Sequence, residues 1–244
     1  MKAHSVWIGF DSREGLAFAV ARETIRRHDP YIPIKGLVLG KLMEDGLYHR
    51  PMEFRTGKEN SRILWDVISD APMSTQFAIT RFLVPHLAKE GWALFIDCDM
   101  LVKANISDLF HLVDNPKNDK FAVMCVKHDY KPTEKTKMDG QVQTVYPRKN
   151  WSSVMLFNCD HPSNKKLTLE MINSVPGRDL HRFCWLEDDE IGELDQCWNY
   201  LVGHSSSEIK PKIVHFTAGG PWMRGYEGVP FADEWRQEVN KWAI

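Results

Sequence analysis

Between Trp92 and Val102 the chain reads Trp-Ala-Leu-Phe-Ile-Asp-Cys-Asp-Met-Leu-Val, an apolar run, two carboxylates one residue apart, and a second apolar run. A short, aromatic-rich run without polar alternation predicts a strand buried on both faces. Such strands belong to a mostly parallel sheet covered by helices. Open sheets of that class bind ligands beyond the carboxyl ends of their strands, which is where Asp97 and Asp99 fall. Asp also closes ordinary turns by bonding nearby backbone, so the pair alone is a weak signal; the apolar run directly before it makes it a candidate site. Two carboxylates there suit a hard divalent cation that also holds phosphate oxygens.

The flanking segments agree with an α/β chain. Ser5 to Phe10 predicts a first strand. Asp11-Ser12-Arg13-Glu14 is an acidic variant of the capping box and opens an alanine-rich helix to about His28. Ile34 to Leu39 predicts a second strand, which completes a βαβ unit with a right-handed crossover. Residues 41–73 read as irregular, broken by Gly46, Pro51, Gly57 and Pro72. Ser74 is placed to cap a helix to about Leu87, bent or ended by Pro85. Ile79, Leu83 and Leu87 mark its apolar face, and Arg81 lies off that face. On sequence alone Arg81 reads as a solvated helix charge. Phe121 to Val126 and Val154 to Phe157 predict further strands. The polar, lysine-rich residues 127–149 between them predict a long loop over the sheet. Glu187 to Glu190 is a dense acidic run. Ile213-Val214 leads into His215, which by itself reads as a core histidine at a strand end. An aromatic tail follows, with Trp222, Tyr226, Phe231, Trp235 and Trp242.

At 244 residues, 43% of them hydrophobic, the chain can bury a sizeable core. One α/β unit with a C-terminal wrap fits better than two domains. A net charge of −2 provides no general drive toward nucleic acid or anionic membrane. The five cysteines have no CxxC spacing and are odd in number, which argues against a disulfide framework or zinc site and for a reducing cytoplasm. The first apolar stretch is too short for a signal peptide, and no run has the length of a transmembrane segment.

Taken together, several segments resemble one family. They are Arg81 with Leu83-Val84-Pro85, Asp97-Cys98-Asp99, Trp151 to Asn158, Leu186 to Asp189, Trp198-Asn199, and Val214-His215-Phe216-Thr217-Ala218-Gly219-Gly220-Pro221-Trp222. Their order and spacing, from Val6 to about Trp222, resemble the retaining glycosyltransferases of the glycogenin-like family eight, and within it bacterial and phage-borne relatives of unassigned substrate. The resemblance implies a GT-A fold, a Rossmann-like, mostly parallel sheet in a single domain. Residues 1–126 would form its nucleotide-binding part, and residues 127–244 its acceptor-side part and C-terminal wrap. It further implies metal-dependent transfer of a hexose, with retention, from a nucleotide-diphosphate sugar (a UDP-hexose first) to an acceptor such as a saccharide.

By the same resemblance Asp97, Asp99 and His215 bind Mn²⁺, or Mg²⁺. An imidazole and carboxylates are suitable ligands for such an ion. Asp11 would hold the nucleoside, Arg81 the sugar or diphosphate, and Ser152, Ser153 and Asp188 the sugar. Asp189 would serve in catalysis, touching sugar hydroxyls or stabilising an oxocarbenium-like state. The chain departs from the family pattern in three places. Gly220 stands where the family has a diphosphate-reaching Lys, so Gly219 and Gly220 are expected to offer backbone N–H groups to phosphate instead. Trp151-Ser152-Ser153 replaces Asn-Ser-Gly, and Asp188-Asp189 replaces Gln-Asp. Two rival readings remain: an Asp-nucleophile phosphohydrolase, which also carries Asp-x-Asp after an apolar strand, and a nucleotide-sugar-binding module without turnover.

Overall fold

The computed structural model describes residues 3–57, 60, 62–129, 148 and 150–241. Strand β1 (His4–Gly9) leads through a turn into helix α1 (Gly15–His28). The turn is capped by the Asp11 side chain, which accepts from the Arg13 N–H. In α1 the buried positions Ala17, Val20, Ala21, Thr24 and Ile25 recur at helical spacing and form one stripe. Arg26, Arg27 and His28 occupy the last turn, where positive charge suits the helix dipole. Strand β2 (Ile34–Leu37) closes the βαβ unit.

Residues 41–73 correct the expectation of an irregular stretch. They begin within a short helix α2 (Leu39–Glu44) and go on to an antiparallel sheet of β3 (Met52–Thr56), β4 (Arg62–Asp66) and β5 (Ala71–Pro72). This sheet shows little apolar alternation because its outer face is open: Phe54 is 61% exposed. Its base is held by a buried ion pair. Arg50 donates to Asp66 through Nε at 3.0 Å and again through Nη2. Arg50 Nη1 also donates to the carbonyls of Ile172 and Val175, each at 2.8 Å.

The expected helix from Ser74 to Leu87 is also corrected. Only a 3-10 turn over Thr80–Leu83 and helix α3 (Val84–Ala88) form. Pro85 sits in the first turn of α3, where its missing N–H has no helical partner to lose, so it starts this helix rather than ending one. Arg81 is 5% exposed, which overturns its reading as a solvated charge.

Strand β6 (Trp92–Ile96) is buried at every position, as the opening run requires. After Asp97-Cys98-Asp99 the chain leaves for β7 (Met100–Val102), then helix α4 (Ser107–Val113) and β8 (Val123–Cys125). The loop expected over 127–149 lies, for 130–147 and 149, outside the described residues, and so does Trp242. Beyond it come β9 (Val154–Asn158), helices α5 (Leu169–Ser174) and α6 (Gly177–His181), β10 (Ile191–Glu193), β11 (Tyr200–Leu201) and β12 (Ile213–His215). Helix α7 (Ala232–Asn240) then forms from the aromatic tail.

The main sheet has the order β10-β8-β9-β6-β1-β2. It is parallel except where β9 runs against both β8 and β6. A second sheet, β11-β12-β7, stands beside it. The larger core lies around the main sheet. A smaller one gathers Val20, Leu101, Val214, Phe216 and Trp235 between α1, the second sheet and α7. A mostly parallel main sheet with helices packed about it makes this a single α/β domain, as expected.

Candidate active site

The break between β6 and β7 creates the site. β6 ends in the main sheet at Ile96, and β7 begins in the second sheet at Met100, so Asp97 and Asp99 sit where the two sheets part. β12 pairs antiparallel with β7 in a register that sets His215 opposite Met100. The Phe216 N–H donates to the Asp99 carbonyl at 3.0 Å. This brings Asp97, Asp99 and His215 together, with one ligand atom from each lying within 4.8 Å of the others. They line a cleft of about 360 Å³ at the carboxyl ends of β1 and β6, within the usual size of a small-molecule site.

The cluster suits a divalent cation by orientation as well as by donor type. His215 Nδ1 lies 3.0 Å from Asn199 Oδ1, and Nε2 lies 3.4 Å from Asp99 Oδ2. An amide oxygen at Nδ1 favours the tautomer protonated there and turns the Nε2 lone pair toward the carboxylates, as in metal-binding histidines. Asn199 is itself fixed, donating to Ser153 Oγ at 2.9 Å and to the Asn150 carbonyl. Burial works against charge on His215. The Asp99 carboxylate outweighs it, with Asp97 adding to the effect, so the pKa of the imidazole is raised above its usual value.

Arg81 joins the cluster to the next strand. Its Nη1 lies 2.8 Å from Asp97 Oδ1 and donates to the Ser152 carbonyl at 2.7 Å. Its guanidinium also rests against the Phe77 and Phe95 rings, which is how a charge this buried is accommodated. Glu14 lines the cleft from the start of the first helical turn and accepts from the Cys98 thiol at 3.1 Å. Burial first, then Asp99 and Asp11, push its carboxyl up to about 7.

Several expected site residues stand elsewhere. Asp11 is fully buried, and its carboxylate accepts from the Arg13 N–H, Arg13 Nε and Nη2, and the Gln76 N–H. Burial alone would raise its pKa, but these donors hold it below the usual range. It therefore positions Arg13 at the cleft and is not itself among the residues that line it. Gly219 lines the cleft, but its N–H donates to the Phe216 carbonyl at 2.8 Å, so it is not offered to phosphate. Gly220 lies outside the lining and makes room for the Trp222 ring, which a Cβ there would approach to 2.0 Å. Asp188 and Asp189 are exposed on a 3-10 turn outside the cleft lining, with Asp188 paired to Arg148. Of the expected residues, the cleft holds Arg81, Asp97, Asp99, Ser152, Ser153, His215 and Gly219. The sequence reading missed Arg13, Glu14 and His181 as lining residues and Asn199 as support. For Asn199 a signal existed in the Trp198-Asn199 pair; for His181 there was none.

Trp222 forms one wall. It packs at 5.2 Å on Trp235 of α7 and edge-on to Phe216 at 5.7 Å. Gly220→Ala should therefore displace the indole and lower stability by about 1–3 kcal/mol, the usual cost of overpacking. Chemical denaturation measures this, and a change within error would show that the wall yields freely.

No family model matches the chain. Among solved structures it is similar to the apo WbbM bifunctional glycosyltransferase, with a TM-score of 0.59 and 17% identity over 98% of this chain and 50% of that one. It is also similar to the glycosyltransferase GlyE of Streptococcus pneumoniae, with a TM-score of 0.59 and 14% identity over 100% of this chain and 63% of that one. The chain thus spans half to just under two thirds of those two proteins. The galactosyltransferase LgtC, solved with donor and acceptor sugar analogs, matches with a TM-score of 0.56 and 13% identity over 97% of this chain and 95% of that one. At such identities the likeness establishes the fold, a GT-A-type α/β domain. In sequence the chain is 44% identical over 248 residues to Protein CDI of Arabidopsis thaliana, an alignment that covers 99% of this chain and 88% of that protein. With that identity along nearly its whole length, the chain belongs to the family of Protein CDI.

Proposed function

We propose that the protein is a metal-dependent glycosyltransferase that moves a hexose from a nucleoside-diphosphate sugar, UDP-hexose first, to a saccharide acceptor with retention. The observation that carries this reading is the Asp97–Asp99–His215 cluster in a cleft at the carboxyl ends of a GT-A-type sheet. Mn²⁺ or Mg²⁺ held there would neutralise the charge that grows on the leaving diphosphate.

The chain's own residues do the rest. The sheet order places β6 and its carboxylates between β1 and β9. With the diphosphate of a nucleotide sugar at the cluster, the cleft offers lining residues on both sides of it. The nucleoside faces Arg13 and Glu14 beyond β1, and the sugar faces Ser152 and Ser153 before β9. Residues 1–126 then serve the nucleotide and 127–244 the acceptor side. Arg81 holds Asp97 and the Ser152 carbonyl in register across that span. Asp188 and Asp189 have no part in this reading, because they are exposed outside the lining.

Among the described residues no helix is long and apolar enough to cross a membrane. A cytoplasmic place fits the five cysteines, all of them unpaired.

Thermal melting against UDP-glucose, UDP-galactose and GDP-mannose, each with Mn²⁺ or with EDTA, tests the proposal. A ligand at a hundred times its Kd stabilises the native state by about 2.7 kcal/mol, so at least one nucleotide sugar should raise the melting temperature by several degrees with Mn²⁺ and not with EDTA. No shift with any of the three, or an equal shift in EDTA, would remove the reading.

A further inference from the structure

His181 has no part in the reading above, yet it lines the cleft beside Ser152. The two side chains touch, with Ser152 Oγ and His181 Nδ1 only 2.7 Å apart. Three independent contacts fix this pair. The Ser152 backbone is tied to Arg81 through its carbonyl. The imidazole ring meets the Phe82 ring edge-on at 5.2 Å. Helix α6, which ends in His181, is anchored at its first residue, where the Gly177 N–H donates to Ser69 Oγ at 2.7 Å. Ser69 in turn donates to Asp66 of the buried ion pair. A Cβ on Gly177 would come within 2.6 Å of Ile79, so the helix sits tight against the residue that leads into the 3-10 turn carrying Arg81.

A serine hydroxyl has one proton and two lone pairs. Beside an imidazole nitrogen it loses that freedom. If Nδ1 carries no proton, Oγ donates to it and meets a ligand as an acceptor. If Nδ1 carries the proton, Oγ accepts and keeps its own proton to donate to a ligand. A cleft wall that is committed in this way distinguishes hydroxyl groups by position and direction, and a site built to bond a hydroxyl rejects analogues that place it elsewhere. Resting on the glycosyl-transfer reading, we propose that Ser152 and His181 form a hydroxyl-reading pair for the transferred sugar. His181 is a positioning residue that acts through Ser152.

The test compares the affinity of UDP with those of UDP-glucose and UDP-galactose, and GDP with GDP-mannose, by calorimetry in Mn²⁺. His181→Ala should leave the diphosphate affinity within about twofold and weaken the preferred nucleotide sugar about tenfold, the worth of one hydrogen bond. Ser152→Ala should do the same, and the double variant should lose no more than either single one, since the two act as a unit. His181→Asn, whose amide reaches the place of Nδ1, should recover most of the loss. Ser152→Ala carries the test if His181→Ala melts too low to study. Equal loss for diphosphate and nucleotide sugar would make His181 merely structural, and no loss for either, or additive losses in the double variant, would equally overturn the pair. If the unmutated protein binds none of these ligands, the glycosyl-transfer reading fails and this inference with it. Normal binding with an unmoved ratio overturns this inference alone.

Discussion

Asp99→Asn should abolish metal-dependent nucleotide binding while leaving the chain folded. The substitution keeps the shape of the side chain and removes its charge. Asp99 lines the cleft beside His215, 3.4 Å from the imidazole, and shares the three-ligand cluster with Asp97. Changing groups that only support a metal ligand typically costs 10- to 100-fold in affinity. Loss of a ligand itself should cost at least about a hundredfold in the Mn²⁺-dependent affinity for UDP or a UDP-hexose. Its effect on the apo fold should be small, because the carboxylate is partly exposed, its backbone carbonyl still accepts from Phe216, and the amide can still meet His215. Calorimetry with and without Mn²⁺ reads the first part, and the apo melting temperature reads the second. Unaltered Mn²⁺-dependent binding in this variant would end the case for the cluster as a cation site.

The second large effect lies away from the cleft. Arg50→Ala should destabilise the protein by about 3–5 kcal/mol, the cost of breaking a buried ion pair and leaving one charge without its partner. Arg50 and Asp66 are both nearly inaccessible to water. Arg50 also holds the Ile172 and Val175 carbonyls, so its loss leaves buried acceptors without donors. The same pair predicts a pH dependence. Burial pushes the Asp66 carboxyl up, but hydrogen bonds from Arg50 and Ser69 outweigh it and hold its pKa below the ordinary 3.8. A carboxylate lowered on folding contributes stability that is fully present above its unfolded value and lost as the pH falls through the folded one. The wild type should therefore lose stability steeply below about pH 4, and Asp66→Asn, already weaker at neutral pH, should show a shallower acid limb. Urea denaturation at several pH values measures both slopes, and parallel acid limbs would deny Asp66 this role.

What the sequence revealed was whatever rests on local pattern. The unbroken apolar run before Asp97 told a strand buried on both faces, and β6 is buried throughout. The alanine-rich segment after Asp11 told α1. What escaped depends on partners distant in the chain. The β3–β5 sheet has an exposed face and a base held by charge, and nothing near Arg50 names Asp66 as its partner. Arg81 read as solvated because a lone helix charge usually is; only the fold brings Asp97, the Ser152 carbonyl and two phenylalanine rings around it. Asp11 has the look of a strand-end ligand, yet its oxygens are taken by Arg13 and Gln76. The glycines at 219 and 220 suggested phosphate, whereas Gly220 answers to the bulk of Trp222.

The wall formed by Trp222 also makes the molecule its own optical instrument. Among the described residues it is the one tryptophan that lines the cleft, and its ring lies 5.2 Å from that of Trp235 at an interplanar angle of 35°. Two indoles so close and so inclined couple their electronic transitions, and the coupling shows as paired bands of opposite sign in circular dichroism. A ligand settling against Trp222 changes the polarity on one side of the pair while α7 keeps the other side fixed. Occupancy of the cleft can then be followed without label or assay, with Trp222→Phe as the control that silences the signal.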